Sequence, residues 1–213
     1  EREFGYSAAR LSFDLNQAFV KGVANYKLND DHSLNFGLQA QYYNLMPGSY
    51  QPVGEYSKIT GRELPENDAL ESALWVEDTW ALTDELKLNG GVRLNLFKSF
   101  EPTAETKLSS FNLDPDLRLS LSYQIDENQS VKAGVNTLHQ YIHKVSNTVI
   151  MSPTDTWALT NKEIKPQSGW QISAGYYWQS DDKVYEISAE TYYKGMDNYL
   201  TYRSAAQLVM NET

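Results

Sequence analysis

The sequence predicts an all-β protein, an antiparallel up-and-down meander of about eight long strands that forms a slice of a larger transmembrane β-barrel. Three observations predict this fold class. Apolar and polar residues alternate with a period of two, short polar turns alternate with long loops, and aromatic residues stand at the strand ends. Hydrophobic residues make up 41% of the 213 residues, yet no apolar run is long enough for a membrane helix.

The clearest hairpin is predicted at about 168–194. Its first strand carries one apolar face, which comprises Trp170, Ile172, Ala174, Tyr176 and Trp178. Its second strand continues that face with Tyr185, Ile187, Ala189, Thr191 and Tyr193. The polar turn between them starts at Ser180. Strands of about ten residues suit a tilted passage through a bilayer.

Three further hairpins show the same alternation, at about 17–43, 70–98 and 115–137. Their apolar faces are predicted to contact lipid, and their polar faces, including Arg93 and Arg118, are predicted to face a lumen. The lower aromatic girdle is predicted to contain Tyr26, Trp80, Tyr123, Trp178 and Tyr185, and the upper girdle Tyr42, Phe97 and Tyr193. Asp78 breaks the apolar face, so either a bulge shifts the register there or Asp78 lies close to the headgroups.

The connections between the hairpins predict that residues 1–213 are one barrel segment without a plug domain. Four short turns alternate with three long loops, at about 46–69, 99–114 and 138–167. A complete barrel with both ends in the periplasm would have more long loops than short turns. We therefore expect a mature fragment of a larger barrel, because no signal peptide opens the chain and no aromatic strand end closes it.

Composition and spacing argue against several classes of function. A net charge of −10 without a basic run argues against nucleic-acid binding, and the absence of cysteine removes thiolate chemistry. His139 and His143 have a spacing known from helical zinc sites, but their surroundings favour polar residues at the rim. Glu186 and Glu190 could form an acid–base pair, although a water-filled lumen explains them equally well. We expect no enzyme, no metal and no cofactor.

The long loop at about 138–167 is the predicted ligand-binding region, because loops of this length are often functional. Tyr141, His143 and Trp157 could stack on or hydrogen-bond a solute, and Asn147 and Asp155 could serve as polar partners. Alternatively, Trp157 only packs the loop against its neighbours.

Five segments in a fixed order resemble the TonB-dependent outer-membrane receptors of the nutrient-uptake type. They are Trp75-Val76-Glu77-Asp78-Thr79-Trp80, Leu138-His139-Gln140-Tyr141-Ile142-His143-Lys144-Val145-Ser146-Asn147-Thr148, Pro153-Thr154-Asp155-Thr156-Trp157, Ile164-Lys165-Pro166-Gln167 and Tyr192-Tyr193-Lys194-Gly195-Met196-Asp197-Asn198. The resemblance extends over about 17–203 and matches the later barrel strands of the family.

The resemblance implies a barrel of about 22 strands, plugged by an N-terminal domain, in the outer membrane. It implies energised uptake of a small nutrient ligand, such as a siderophore, vitamin, glycan or peptide. The implied partners are outer-membrane lipids and an energy-transducing inner-membrane complex that acts through the missing plug. The alternative is a soluble or adhesive β-sheet binding protein without a transport role, which would bury its apolar faces internally.

Overall fold

A computed structural model of the chain describes residues 8–100, 109–145 and 156–201. No helix in these ranges is long and apolar enough to cross a membrane. The strands of these ranges are β1 (Ala9–Lys27), β2 (His32–Pro52), β3 (Arg62–Glu63), β4 (Asn67–Ala81), β5 (Leu86–Ser99), β6 (Phe111–Asp126), β7 (Gln129–Gln140), β8 (Ile142–Val145), β9 (Thr156–Leu159), β10 (Gln167–Gln179) and β11 (Glu186–Asp197).

Eight long strands form one antiparallel sheet in the order β1-β2-β4-β5-β6-β7-β10-β11, with the short β3 paired to β2. Each long strand pairs with the next long strand along the chain, so the topology is up-and-down and the sheet curves into a half-barrel. Strands β8 and β9 form a separate two-stranded sheet. The predicted fold class is confirmed.

The register places the alternating apolar residues on one face of the sheet, which we call the outer face. Leu121, for example, lies opposite Leu88 on one side and Ala133 on the other. Outer-face side chains are strongly exposed, Val20 at 62% and Leu117 at 55%. The other face, the inner face, carries the polar residues. We call the end of the sheet with the short turns the lower end and the opposite end the upper end.

The first hairpin extends further up than the sequence predicts. The loop expected to start at Met46 is wrong, because β2 continues to Pro52 and pairs with β1 up to Ala9. A register shift between Ser12 and Asp14 places the pair Pro47-Gly48 in a bulge. The bulge lets a residue without a backbone N–H occupy the strand without ending the ladder.

Asp78 lies on the outer face near the lower end of β4. The ladders of β4 with β2 and β5 run through this position without a shift, so the bulge alternative is wrong. The Asp78 carboxylate instead lies 2.7 Å from Nδ1 of His32, whose ring stacks on Trp80 at a centroid distance of 5.2 Å. The negative charge on the apolar face therefore has a local partner. Its closeness to headgroups stays a prediction.

Phe97 corrects the predicted upper girdle. Its parity in β5 places it on the inner face, opposite Glu71 of β4 and Asn112 of β6. The ring is fully buried at 0% exposure, so it does not face lipid. The aromatic ring that buries it comes from the connection between β7 and β10, which the sequence predicted as a loop.

Candidate functional site

The strands β8 and β9 form a small ribbon that packs against the upper part of the inner face. The register pairs Ile142 with Leu159 and Val145 with Thr156. Thr156 donates its hydroxyl to the carbonyl oxygen of Pro47 in β2 at 3.0 Å. Ribbon and sheet together bury one hydrophobic core cluster, which comprises Tyr43, Leu45, Ala69, Phe97, Tyr141 and Leu159. The connection between β7 and β10 is thus folded inward onto the wall.

Tyr141 is the aromatic residue that joins the ribbon to the wall. Its ring stacks on Phe97 with a centroid distance of 4.7 Å and an interplanar angle of 4°. Its hydroxyl donates to Oδ2 of Asp114 at 2.8 Å. Its carbonyl oxygen accepts from the backbone N–H of Thr160 at 2.8 Å. Burial raises the pKa of Tyr141 well above its usual range, and the hydrogen bond to Asp114 raises it further. The phenol therefore stays neutral and donates.

His143 is buried between the ribbon and the wall, with 2% of its surface exposed. Its Nε2 atom lies 3.0 Å from the hydroxyl of Thr160. Its Nδ1 atom is buried without a hydrogen-bond partner. Burial lowers the pKa of His143, because a buried ring loses the hydration that stabilises its charged form. The neutral form is therefore the one that fits this position.

Trp157 stands on the other face of the ribbon. It lies opposite Lys144, and 38% of its surface is exposed. The structure therefore brings Tyr141 and His143 together under the ribbon and turns Trp157 away from them. The predicted site residues Asn147 and Asp155 lie outside the described residues.

A carboxylate network below the ribbon was not predicted as a site. Nδ2 of Asn95 donates to Oδ2 of Asp116 at 2.7 Å, and Nδ1 of His139 lies 2.7 Å from the other Asp116 oxygen. Nε of Arg93 donates to Oδ1 of Asn95 at 2.8 Å. Asp114, two residues before Asp116, accepts from Tyr141. The sequence contained one signal for this network. Asp114 and Asp116 are two residues apart in a strand, so both carboxylates lie on the inner face.

A second inner-face cluster centres on Trp75, lower on the wall. Its indole N–H donates to Oδ1 of Asn35 at 2.9 Å. Nζ of Lys21 and Cζ of Arg93 each lie 5.3 Å from the ring centre. The ring covers Gly37, where an added Cβ would meet ring atoms at 2.4 Å. An aromatic residue with cations at its face therefore lines the lumen side.

The chemistry of the inner face is that of a polar, charge-paired surface. His139 pairs with Ser168 of β10, so it lies at the outer side of the sheet and reaches Asp116, whereas His143 contacts Thr160 under the ribbon. The two histidines therefore do not form one cluster. Among the residues that the structure describes, no group of three His, Asp or Glu side chains could hold a metal ion. Such a surface can hydrogen-bond and stack on a passing solute.

Comparison with known proteins gives the class of protein that this fold defines. A family model described as "TonB dependent receptor-like, beta-barrel" matches residues 2–211. The chain therefore belongs to the TonB-dependent receptor β-barrel family, as its motifs suggested. This is an outer-membrane family of transport receptors, not of enzymes. No curated protein sequence matches the chain.

Solved structures share the fold at low sequence identity. The copper transporter OprC superposes with a TM-score of 0.64 at 15% identity, over 89% of this chain and 31% of its own. The apoprotein form of the FrpB iron transporter from Neisseria meningitidis gives 0.62 at 10%, over 86% and 29%. The ferric yersiniabactin uptake receptor FyuA from Yersinia pestis gives 0.56 at 15%, over 88% and 29%. The chain thus spans about a third of the length of these proteins.

Proposed function

We propose that this chain is part of the barrel wall of an outer-membrane receptor that takes up a scarce nutrient ligand. The ligand would be a siderophore, vitamin, glycan or peptide, and the energy would come from an inner-membrane complex acting through a plug domain. The similar structures are described as transporters of iron or copper and as an uptake receptor for ferric yersiniabactin, which supports a small chelated or free nutrient.

The ribbon on the inner face is the observation that carries this proposal. A connection folded against the inside of a barrel wall narrows the path of a solute and presents side chains to it. The ribbon leaves Trp157 partly exposed, whereas Tyr141 and His143 are buried beneath it. We infer that Trp157 contacts the ligand directly.

The other predicted ligand residues take different parts in this proposal. Asn147 and Asp155 are proposed as polar ligand partners from the sequence alone, since each is close in sequence to a ribbon strand. Tyr141 and His143 are 1% and 2% exposed, so they reach a solute only when the ribbon lifts. Their proposed part is to fix where Trp157 stands.

The uncovered outer face favours the receptor over a soluble or adhesive sheet protein. A long row of apolar side chains on this face has no covering layer among the described residues, including Leu74 at 54% and Ile172 at 53% exposure. Lipid is the solvent that such a face requires, since monomeric soluble proteins rarely expose continuous apolar surfaces of this kind.

An uptake assay with matched tryptophan variants tests the proposal. Cells carrying the full-length protein are given a ferric siderophore, cyanocobalamin, an oligosaccharide and an oligopeptide, with and without a proton uncoupler. We expect uptake of one probe that the uncoupler abolishes. Trp157→Ala should reduce that uptake about tenfold, the effect of losing roughly 1.4 kcal/mol of binding. Trp170→Ala is the matched control, because Trp170 is equally exposed, at 37%, but lies on the outer face.

Two outcomes would contradict the proposal in different ways. Equal uptake by Trp157→Ala and the unchanged protein would remove the ribbon from the ligand site. A stable monomer in water without detergent, with no uptake of any probe, would favour the soluble binding protein.

A further inference from the structure

The wall has a seam between β6 and β7. Their ladder ends at the pair Arg118 and Asn136, although both strands continue upward. Above this point β6 pairs only with β5, up to Phe111, and β7 pairs only with β10, up to Gln140. The other ladders between neighbouring long strands that the structure describes run along nearly the whole of the shorter strand. We call this opening, between 111–117 and 137–140, the seam.

A proline explains where the seam begins. The backbone N–H of Leu117 points across to β7 and donates to the side-chain hydroxyl of Thr137 at 2.8 Å. Backbone N–H groups of alternate residues in a strand point to the same edge, so the nitrogen of Pro115 also faces β7. Proline has no hydrogen to donate, and the main-chain ladder cannot continue past it.

Side chains close the seam where the backbone does not. Oδ1 of Asp116 on β6 lies 2.7 Å from Nδ1 of His139 on β7. The hydroxyl of Tyr141, directly after β7, donates to Oδ2 of Asp114 on β6 at 2.8 Å. Asn95 of β5 donates to Asp116 and to the carbonyl oxygen of Asp114, which braces β6 from its other side. We call the pairs Asp116–His139 and Asp114–Tyr141 the two clasps.

One clasp residue also anchors the ribbon. Tyr141 stacks on Phe97 and holds the backbone of Thr160, the residue after β9. The ribbon can therefore leave the wall only if Tyr141 moves, and movement of Tyr141 breaks the hydrogen bond to Asp114. On the outer side of the seam, a cavity of about 270 Å³ is lined by residues that include Pro115, Leu117, Thr137, His139 and Trp170.

We propose that the seam and the ribbon open as one unit, with His139 and Tyr141 as the positioning residues that keep both closed. Release of either clasp frees both the ribbon and the upper parts of β6 and β7. Conversely, detachment of the ribbon at its far end loosens the seam. This coupling concerns the wall itself and goes beyond the proposed uptake.

Two readouts follow the two elements separately in the full-length protein. Val145→Cys places a thiol at a ribbon position that is 8% exposed, so a maleimide reacts with it when the ribbon lifts. The chain has no native cysteine, which keeps the label specific to this position within the chain. Amide hydrogen exchange of 111–117 reports on the seam.

Each decisive variant changes either the seam or the ribbon, and its effect is measured at the other of the two. His139→Gln removes only the contact with Asp116 in the seam. We expect maleimide labelling of the Val145→Cys thiol to rise about tenfold, which corresponds to the loss of one hydrogen bond to a charged group. Thr156→Val removes only the ribbon's bond to Pro47 and should raise exchange of 111–117 about fivefold. Both side-chain changes are conservative in size, so folding is retained.

Two matched controls break the same chemistry elsewhere. His32→Gln removes an Nδ1–carboxylate contact of the same 2.7 Å length at the lower end, and Tyr177→Phe removes a tyrosine hydroxyl bond to Glu190 of 2.7 Å. Neither should change labelling or exchange. The proposal is overturned if each variant affects only its own element, or if the controls raise both readouts equally. Neither readout needs a ligand, so failure here and failure of the uptake assay are distinguishable.

Discussion

Two regions of the sheet differ in how far their side chains are buried. One is the part of the wall under the ribbon, and the other is the hairpin of β10 and β11. Both have the same alternation and the same kind of ladder. Under the ribbon, Phe97 is 0% and Leu45 is 1% exposed. In β11, Ile187 is 61% and Tyr192 is 70% exposed. The ladder of β10 with β11 is nonetheless continuous from Ser168 to Gln179.

The difference shows that the sheet and the core have separate origins in this chain. Alternation and backbone pairing produce a continuous ladder in both regions, although the two regions differ in what covers them. Among the described residues, the hydrophobic cluster lies where the connection between β7 and β10 returns to the inner face and covers Phe97, Leu45 and Ala69. Stability effects of core substitutions should therefore be confined to the region of the ribbon.

Truncation of the ring under the ribbon should have the largest effect. Phe97→Ala is expected to lower the free energy of unfolding by about 3–5 kcal/mol, because it removes a buried aromatic side chain and its stacking on Tyr141. Phe19→Ala, at an inner-face position that is 72% exposed, should change it by less than about 0.5 kcal/mol. Urea unfolding in lipid vesicles measures both values. Equal losses at the two positions would contradict the confinement of the core to the ribbon.

A charge on the outer face should have the next largest effect. Leu121→Arg is expected to cost about 2–4 kcal/mol, because Leu121 lies in the middle of the apolar face, between Leu88 and Ala133. Ser120→Arg is the control, since the neighbouring residue points to the inner face. If both arginines are tolerated in the same vesicle assay, the assignment of the two faces is wrong.

Two glycines on the first hairpin should respond differently to alanine. Gly37→Ala is expected to cost about 1–3 kcal/mol, because the new methyl group would meet the ring of Trp75 and the carbonyl oxygen of Gly22, each at 2.4 Å. At Gly22 an added Cβ would have only Leu38 nearby, at 3.9 Å. Gly22→Ala should therefore unfold like the unchanged protein. A costly Gly22→Ala would indicate a covering layer on the outer face.

Protonation of His143 at low pH should loosen the ribbon, and this is the smallest of the effects that we expect. Burial lowers the pKa of His143 below 6.5, so near that pH the lifted ribbon binds more protons than the docked ribbon. The contribution of neutral His143 to docking is complete above pH 6.5 and declines as the pH falls from there. The labelling rate of the Val145→Cys thiol, divided at each pH by the rate in the unfolded protein to remove the effect of thiol ionisation, should thus rise as the pH falls from about 7 to about 5.

His143→Gln separates this contribution from other titrating groups. Glutamine cannot take up a proton in this range, so the variant should lose the rise in labelling. A rise that is unchanged in His143→Gln would assign the pH dependence to another group.

The parts of the structure that the sequence predicted are those that depend on local pattern. The outer faces of Ile172, Leu119 and Val92 follow from parity alone, and the short turns follow from residues such as Asn29, whose side chain accepts from the backbone N–H groups of Asp31 and His32. The predictions were wrong where the position of a residue depends on a contact with a residue far away in the sequence. Phe97 has the parity of an inner residue, and its aromatic character suggested the girdle instead.

The candidate site was predicted only in its composition. The loop at 138–167 was identified as the functional connection, and Tyr141, His143 and Trp157 do lie on it. The separation of His143 and Trp157 onto two ribbon faces follows from the register of β8 with β9. The docking of the ribbon could not be predicted, because it includes the contact of β9 with β2, more than a hundred residues earlier in the chain. Whether these residues bind a ligand stays a prediction.

The strands, their alternation and the membership of a barrel family could be predicted from the sequence, because each depends on residues that are close together in the chain. Three features required the folded chain: the inward fold of the connection, the end of the β6–β7 ladder below Pro115, and the contact of Asp116 with His139. These features depend on contacts between segments that lie far apart in sequence, and no local pattern encodes the geometry of such contacts.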